Sequence, residues 1–312
     1  MGSCFSCFKS SRSTVIKYVA LKLPHGTRGI EYCEQSGGFI NCTDINVWLS
    51  QLYLNSEWTA WQVYNDDTNH ISTTTNDIDH KHTKGHCKGI VAWNTKRISW
   101  LYHSVPNFPK FFDGKIISDI ESGELIYGQS FQYIEINYSE QMITDILKQL
   151  HIMEAHIFSS NSGHINNRLD KKWGQGTINP LKLSDTITHI AKSPDYHIDI
   201  YSDYLVKEYD HLWKVETWIR GHHILEEPTL LDDISLNLSH KIIDITNLQF
   251  EEIKWSEKQD HSKWATTAPL GSHYWIGDLN RMTSQYKRGG GGFVCMDQNI
   301  ASAFNKLIID VE

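Results

Sequence analysis

Asp260-His261-Ser262-Lys263-Trp264, followed by Ile276-Gly277-Asp278-Leu279-Asn280-Arg281, repeats a pattern met earlier in the chain. The first copy is Gly85-His86-Cys87-Lys88-Gly89, with His103-Ser104-Val105-Pro106-Asn107 behind it. In each copy a His and a Lys stand two residues apart and an Asn follows, 19 residues after Lys88 and 17 after Lys263. On a strand, residues i and i+2 project from one face, so each imidazole would point the same way as its ammonium. The duplication implies two halves of one chain, each contributing half of a site.

Such pairs suit displacement at a phosphodiester. One group must attack phosphorus, another must protonate the leaving oxygen, and cations must take up charge on the non-bridging oxygens. Two His-Lys-Asn sets supply all three: His86 and His261 as nucleophile and acid, Lys88 and Lys263 for charge, and Asn107, Asp278 and Asn280 for orientation. Spacing alone is thin evidence, because random order gives about one His-x-Lys in a chain of this composition and this chain has three. The third, His82-Thr83-Lys84, follows a polar run, Asp77-Ile78-Asp79-His80-Lys81, that reads as a solvated loop.

Longer blocks carry more. Gly85-His86-Cys87-Lys88-Gly89, His103 to Pro109, Asp260 to Trp264, Ile276 to Arg281 and Arg288-Gly289-Gly290-Gly291 resemble, in their order, the signature blocks of the deoxyribonuclease II family. Shorter echoes lie at Lys22-Leu23-Pro24, Tyr127-Gly128-Gln129-Ser130, Ala191-Lys192-Ser193, Asp199-Ile200-Tyr201 and Thr217-Trp218, so the resemblance runs from about Val15 to near the C-terminus. It implies an α/β (α+β) fold of phospholipase D-like type, two related mixed-sheet halves with the active site at their interface. It also implies metal-independent hydrolysis of DNA with no cofactor, through a phosphohistidine, leaving 3′-phosphate and 5′-hydroxyl ends. His103, Arg281, Lys287, Arg288, Gly289 and Gly290 are then expected at the substrate. The glycine run from Gly289 to Gly292 would be a phosphate-facing loop with uncovered N–H groups, since Gly permits close approach.

Other chemistries compete with this one. The same site could act on a lipid phosphodiester, or the chain could be a catalytically silent DNA-binding relative, which the intact His-Lys pairs argue against. Asp77, Asp79, His80, His82, His86 and Cys87 include potential zinc ligands, yet their spacing matches no closed zinc motif, so no metal is expected. Trp93 and Trp264 flank the blocks and could stack a base.

Composition sets the frame. With 312 residues, 40% hydrophobic and 12% aromatic, the chain can bury a large core in one large or two packed domains. No run of 18 apolar residues is present, so no membrane-spanning helix is expected. The net charge of −8 is unusual for a nucleic-acid binder unless positive charge is local. Lys81, Lys84, Lys88, Lys110, Lys263, Arg281, Lys287 and Arg288 do lie in or beside the blocks, whereas Asp232-Asp233 and Glu251-Glu252 lie elsewhere. The expected organisation is a tail (1–14), a first half (15–158), an Asn-, Ser- and Gly-rich connection (159–176) and a second half (177–312). A strand is expected from Thr14 to Leu23. Helices are expected from Glu140 to His156 with Ser139 as N-cap, and from Gln298 to Ile309 with Asp297 as N-cap.

Met1-Gly2-Ser3-Cys4-Phe5-Ser6 lacks the apolar core of a signal peptide and matches the N-myristoylation pattern at Gly2, with Cys4 and Cys7 placed for palmitoylation. A single acyl chain binds bilayers marginally, so the second signal matters. The expected partners are DNA and a membrane surface, at the cytoplasmic face of a membrane or in the cytoplasm. A lysosome-like compartment is the alternative, because two working imidazoles suit acid. Cys33 and Cys42 are close enough in sequence to bridge, while Cys87 inside a catalytic block favours reduced thiols.

Overall fold

The computed structural model describes residues 15–42, 44–54, 57–68, 85–161, 176–209, 211–218, 242–268 and 271–312. Gly2, Cys4 and Cys7, the potential ligands Asp77 to His82, and most of the expected connection lie outside these residues.

The β-branched and aromatic run Val15-Ile16-Lys17-Tyr18-Val19 opens β1 (Val15–Lys22), a central strand paired along its length with β9 (Gln129–Asn137). Around that pair the chain adds β2 (Gly29–Cys33), β3 (Gly38–Cys42), β4 (Ala60–Tyr64), β5 (Gly89–Trp93), β6 (Arg97–His103) and β10 (Ile157–Ser160). The sheet order is β10-β4-β5-β6-β9-β1-β2-β3, and β7 (Phe111–Phe112) and β8 (Lys115–Ile116) form a small separate hairpin. A second sheet gathers β11 (Ile178–Ser184), β12 (Ile187–Lys192), β13 (Leu212–Glu216), β14 (Ile242–Phe250), β15 (Ile253–Ser256), β16 (Trp264–Ala268), β17 (His273–Gly277), β18 (Gly290–Met296) and β19 (Ile308–Val311). Its order is β11-β12-β18-β17-β16-β13-β14-β15, with β19 on β14. Apart from the parallel β13–β14 pair, neighbouring strands are antiparallel. Among the described residues the α-helices are few: α1 (Ile45–Leu52), α2 (Glu140–Ile152), α3 (Val206–Tyr209) and α4 (Gln298–Asn305). The class is mixed α+β dominated by antiparallel sheet.

Five strands recur in the same antiparallel order, β4-β5-β6-β9-β1 in one sheet and β13-β16-β17-β18-β12 in the other. Register makes positions equivalent. Gly89 faces Tyr102 as Trp264 faces Ile276, His103 faces Phe131 as Gly277 faces Gly292, and Lys22 faces Gln129 as Lys192 faces Gly290. The largest core cluster joins both sheets, with Val19, Leu21, Trp100 and Ile134 from one and Trp264, Tyr274, Ile276 and Phe293 from the other. Smaller cores lie under α1, with Ile45, Trp48 and Leu49, and under the π-helical turn Ile200–Leu205, with Tyr201 and Leu205.

Several expected elements end differently. Ser139 caps α2 as its sequence predicts, its hydroxyl accepting from Met142 N–H, but the helix stops at Ile152 because Glu154 adopts φ 52° and the chain turns into β10. Asp297 caps α4, whose expected last turn is instead the edge strand β19, because Ile308 and Val311 find partners in Leu248 and Ile245 of β14. Gly290 to Gly292 are not an open turn but lie inside β18, where a Cβ on Gly291 would stand 2.0 Å from the Ile190 carbonyl oxygen. Trp93 and Trp264 are core residues, Trp264 packing on Phe304 at 4.6 Å between ring centroids, so neither is open to a base. Cys42, Cys87 and Cys295 are buried and outside any disulfide, so no Cys33–Cys42 bridge forms, but Cys33 is itself disulfide-bonded, against the expectation of reduced thiols. Among the described residues no helix is long and apolar enough to cross a membrane.

Candidate active site

The two His-x-Lys segments lie immediately before β5 and β16, not within strands as the sequence led one to expect. Their backbone serves a contact between sheets rather than a ladder. His86 N–H donates to the Gly289 carbonyl at 2.7 Å, and His261 N–H donates to the Gly128 carbonyl at 2.9 Å. Each histidine is therefore docked on the loop that enters the central strand of the other sheet, β18 for His86 and β9 for His261.

In the first half-site, Lys88 Nζ donates to Asp66 Oδ1, Arg288 Nη2 donates to Asp66 Oδ2 at 3.0 Å, and His86 Nε2 stands 3.9 Å from the same oxygen. Burial alone would raise the Asp66 carboxyl, but Lys88, His86 and Arg288 together outweigh it and hold the group well below the usual carboxylate range. His86 Nδ1 lies 2.7 Å from the Asp278 carbonyl oxygen. A carbonyl only accepts, so Nδ1 carries the hydrogen and the neutral ring keeps its lone pair on Nε2. Burial, reinforced by Lys88, depresses the His86 pKa well below the ordinary imidazole value. The Asp278 side chain faces inward, taking the Tyr102 hydroxyl and, at 3.2 Å, the Gly291 N–H.

In the second half-site, the His261 ring lies 3.9 Å from Tyr127, stacked at 13°, and 4.0 Å from Trp218. Its Nδ1 is 3.4 Å from Glu124 Oε2, and its buried Nε2 has no partner among the described residues. Burial pulls the His261 pKa down to about 4 against the opposing pull of Glu124. Lys263 Nζ donates to the His261 carbonyl, and burial followed by Lys88 lowers its pKa to about 7. Lys263 in turn depresses His86, and Lys88 depresses His261, so the charges of each half-site are felt in the other.

A profile of the family described as Deoxyribonuclease II matches residues 6–312. The chain belongs to the deoxyribonuclease II family. Similar proteins include cell-death-related nuclease 7 of Caenorhabditis elegans, 26% identical over 98% of this chain and 87% of that protein. Deoxyribonuclease-2-beta of Mus musculus is 29% identical over 80% of this chain and 70% of its own length. Deoxyribonuclease-2-alpha of Rattus norvegicus is 26% identical over 97% and 93%. By family, this is a deoxyribonuclease II-like hydrolase.

The remaining expected residues of this deoxyribonuclease II chain divide. His103 is buried, its Nδ1 accepting from Val105 N–H at 3.2 Å and its Nε2 unpartnered, and burial pulls its pKa down to about 3. Asn107, at φ 51°, is tied by its N–H to the Asp67 carbonyl at 2.9 Å. Asn107 Oδ1 and Asn280 Oδ1 are, like His103 Nε2 and His261 Nε2, buried polar atoms without a partner among the described residues. Each such orphan costs about 1–3 kcal/mol unless a ligand or water meets it. Arg281 departs from expectation: its guanidinium is held by Asp199 at 3.2 Å and by Asp244, which makes it a structural clamp rather than a free phosphate ligand. Lys287 is exposed on the loop before β18, whereas Arg288 turns in to Asp66. The Gly289 carbonyl is used by His86, and Gly290 pairs with Lys192, so the expected uncovered N–H loop is replaced by a close-packed strand entry. Sequence reasoning passes over Asp66 and Glu124, and it quotes Trp218 in the Thr217-Trp218 block without giving it a place at His261. Asp66 and Trp218 are register-equivalent, each two residues past its strand, which only the paired sheets reveal.

Proposed function

We propose that the chain is an endonuclease that hydrolyses DNA phosphodiester bonds without a metal, through a phosphohistidine. The observation that carries this reading is the pair of imidazoles with Nδ1 engaged, Nε2 of His261 unpartnered among the described residues and Nε2 of His86 3.9 Å from Asp66 Oδ2, set between two buried ammonium groups. His86, neutral and carrying its lone pair on Nε2, attacks phosphorus. His261, whose imidazolium form the Glu124 carboxylate favours, gives its Nε2 proton to the departing 5′-oxygen. The P–N bond forms as the P–O5′ bond breaks. Water then gives its proton to the now neutral His261 and attacks phosphorus, the P–N bond breaks, and a 3′-phosphate leaves. Lys88 and Lys263 take up charge on the non-bridging oxygens, and the Asn107 and Asn280 amides orient them.

DNA as substrate follows the names of the relatives, and the local cations Lys88, Lys263, Lys287 and Arg288 answer the net charge of −8. The repeated five-strand order supports two related phospholipase D-like halves, 15–158 and 177–312, joined at 159–176. The N-terminal pattern supports acylation at Gly2, with Cys4 and Cys7 as palmitate acceptors, and attachment to the cytoplasmic face of a membrane. Gly2→Ala should release the protein to the soluble fraction. Recovery of the native protein inside lysosome-like vesicles would refute the attachment.

The function is tested with purified full-length protein and plasmid DNA in excess EDTA across about pH 4–8. Nicking with 3′-phosphate ends is expected, falling as pH rises because His261 must be protonated, and His86→Ala and His261→Ala should each abolish it. Activity removed by EDTA and restored by Mg²⁺ or Zn²⁺, or hydrolysis of phosphatidylcholine vesicles in place of DNA, would overturn the reading.

A further inference from the structure

Lys22 and Lys192 end β1 and β12 at register-equivalent places, facing the first residues of β9 and β18. They are 1% and 0% exposed. Each ammonium donates into a cage of backbone carbonyls. Lys22 Nζ reaches Leu23 at 3.1 Å, Gly26 at 3.1 Å and Leu125 at 2.9 Å. Lys192 Nζ reaches Ser193 at 3.3 Å, Tyr196 at 3.0 Å, Tyr286 at 3.0 Å and Arg288 at 2.7 Å. A buried ammonium is costly unless its three donors are met, so each cage has to converge for its lysine to be tolerated.

In each cage, some of the carbonyls belong to the loop that reaches the opposite histidine: Leu125 for Lys22, and Tyr286 and Arg288 for Lys192. Leu125 follows Glu124 in the 122–128 loop, which also brings the Tyr127 ring and the Gly128 carbonyl to His261. Tyr286 and Arg288 lie in the 283–289 loop, which brings the Arg288 guanidinium to Asp66 and the Gly289 carbonyl to His86. The loops are equivalent in detail: Tyr127 N–H bonds the Glu124 carbonyl as Arg288 N–H bonds that of Gln285. We propose that Lys22 and Lys192 are positioning residues of the two half-sites, each pinning the loop that crosses to seat the histidine of the other sheet, Lys22 for His261 and Lys192 for His86. Burial lowers both lysines to about 8, so the pins stay charged through the acid and neutral range and weaken above it.

Only the activity arm of the test rests on the nuclease reading, because the positioning can be read on the imidazoles without DNA. Histidine-labelled full-length protein is titrated by NMR as wild type, Lys22→Met and Lys192→Met, with signals assigned through His86→Gln and His261→Gln. His261 faces Glu124, Lys263 and Lys88, besides the Tyr127 and Trp218 rings, and His86 faces Lys88, Asp66, Arg288 and Lys263. Lys22→Met withdraws Glu124, so the His261 pKa should fall while His86 stays unchanged. Lys192→Met withdraws Arg288, so the His86 pKa should rise and its Nδ1–H ¹⁵N signature blur, while His261 stays unchanged. Plasmid cleavage should lose about 100-fold in kcat in each variant, with KM changed less than about threefold. Equal shifts of both histidines in either variant, or none, would overturn the proposal. Should a Met variant not fold, the Gln variant, whose shorter uncharged amide has two donors in place of three and cannot reach the whole cage, must show a selective shift in the same direction, and its absence overturns the proposal equally. Selective shifts in a wild type that does not cut DNA would sink the nuclease reading and leave the positioning intact.

Discussion

Lys88, His86 and Arg288 converge on the Asp66 carboxylate, and that single anion fixes where the first half-site's positive charge sits. Asp66→Asn should therefore leave Lys88 and Arg288 buried without their counter-charge and let both drift from phosphate, costing about 100-fold in kcat. Asp66 also raises the His86 pKa, so its loss should move the low-pH limb of the rate profile to lower pH. The Asp66 pKa is held below its unfolded value, so its contribution to stability is present above about pH 4 and is lost as pH falls through the folded value. Urea denaturation should show Asp66→Asn weaker by about 3 kcal/mol at neutral pH, with the gap closing in strong acid; an equal gap at every pH would contradict the assignment. At this scale His86, Lys88, His261 and Lys263 were legible as repeated residue types. Asp66 was not, because an acid beside another acid carries no motif, and Arg281 was misread because its two carboxylate partners are 82 and 37 residues away.

Among the elements, the two crossing loops depend on glycines that allow backbones to touch. A Cβ on Gly289 would stand 2.1 Å from the Met153 carbonyl oxygen, and one on Gly128 would stand 2.6 Å from the Asp260 carboxylate. Gly289→Ala should cost about 1–3 kcal/mol in chemical denaturation and displace the carbonyl that docks His86, so cleavage should drop far more than the folded fraction. Gly123→Ala, with nothing within 4 Å of its Cβ, is the control expected to change neither. If the two substitutions behave alike, the docking role fails. Element starts were legible from local chemistry, since Ser139 and Asp297 cap α2 and α4 as their side chains predict. Element ends were not: the choice between a last helical turn and β19 depends on Ile245 and Leu248 of a distant strand.

Over the whole molecule, burial works on two sets of titrating groups with opposite effect. It pulls His103 and His189 down to about 3 and His261 to about 4, so stability due to these histidines falls as pH drops from about 6.5 toward those values. It also raises Glu31 to about 7 and lifts Glu216, Asp260 and Asp278, so stability due to these carboxyls rises as pH drops from neutral toward about 4. The two trends oppose each other between about pH 4.5 and 6.5, and the unfolding midpoint should vary there by less than about 5 °C. Glu216→Gln removes one of the opposing carboxyls, so its midpoint should fall more steeply than wild type between neutral and acid pH; a parallel curve would show that Glu216 is not protonated in the fold. The sequence by itself determined that a His-x-Lys pair followed by an Asn occurs twice within an ordered set of blocks, because a two-residue spacing and the order of blocks are local facts. It determined too where the first strand and the helices α2 and α4 begin, since caps and apolar runs act over a few residues. Only the tertiary structure decided that each histidine docks on a loop from the other sheet, that Asp66 and Glu124 stand beside different imidazoles, and that the glycine run is a strand. Those outcomes come from sheet register and from burial shared between segments that are not neighbours in the chain, as far apart as His86 and Gly289, and no local stretch of sequence encodes such pairings.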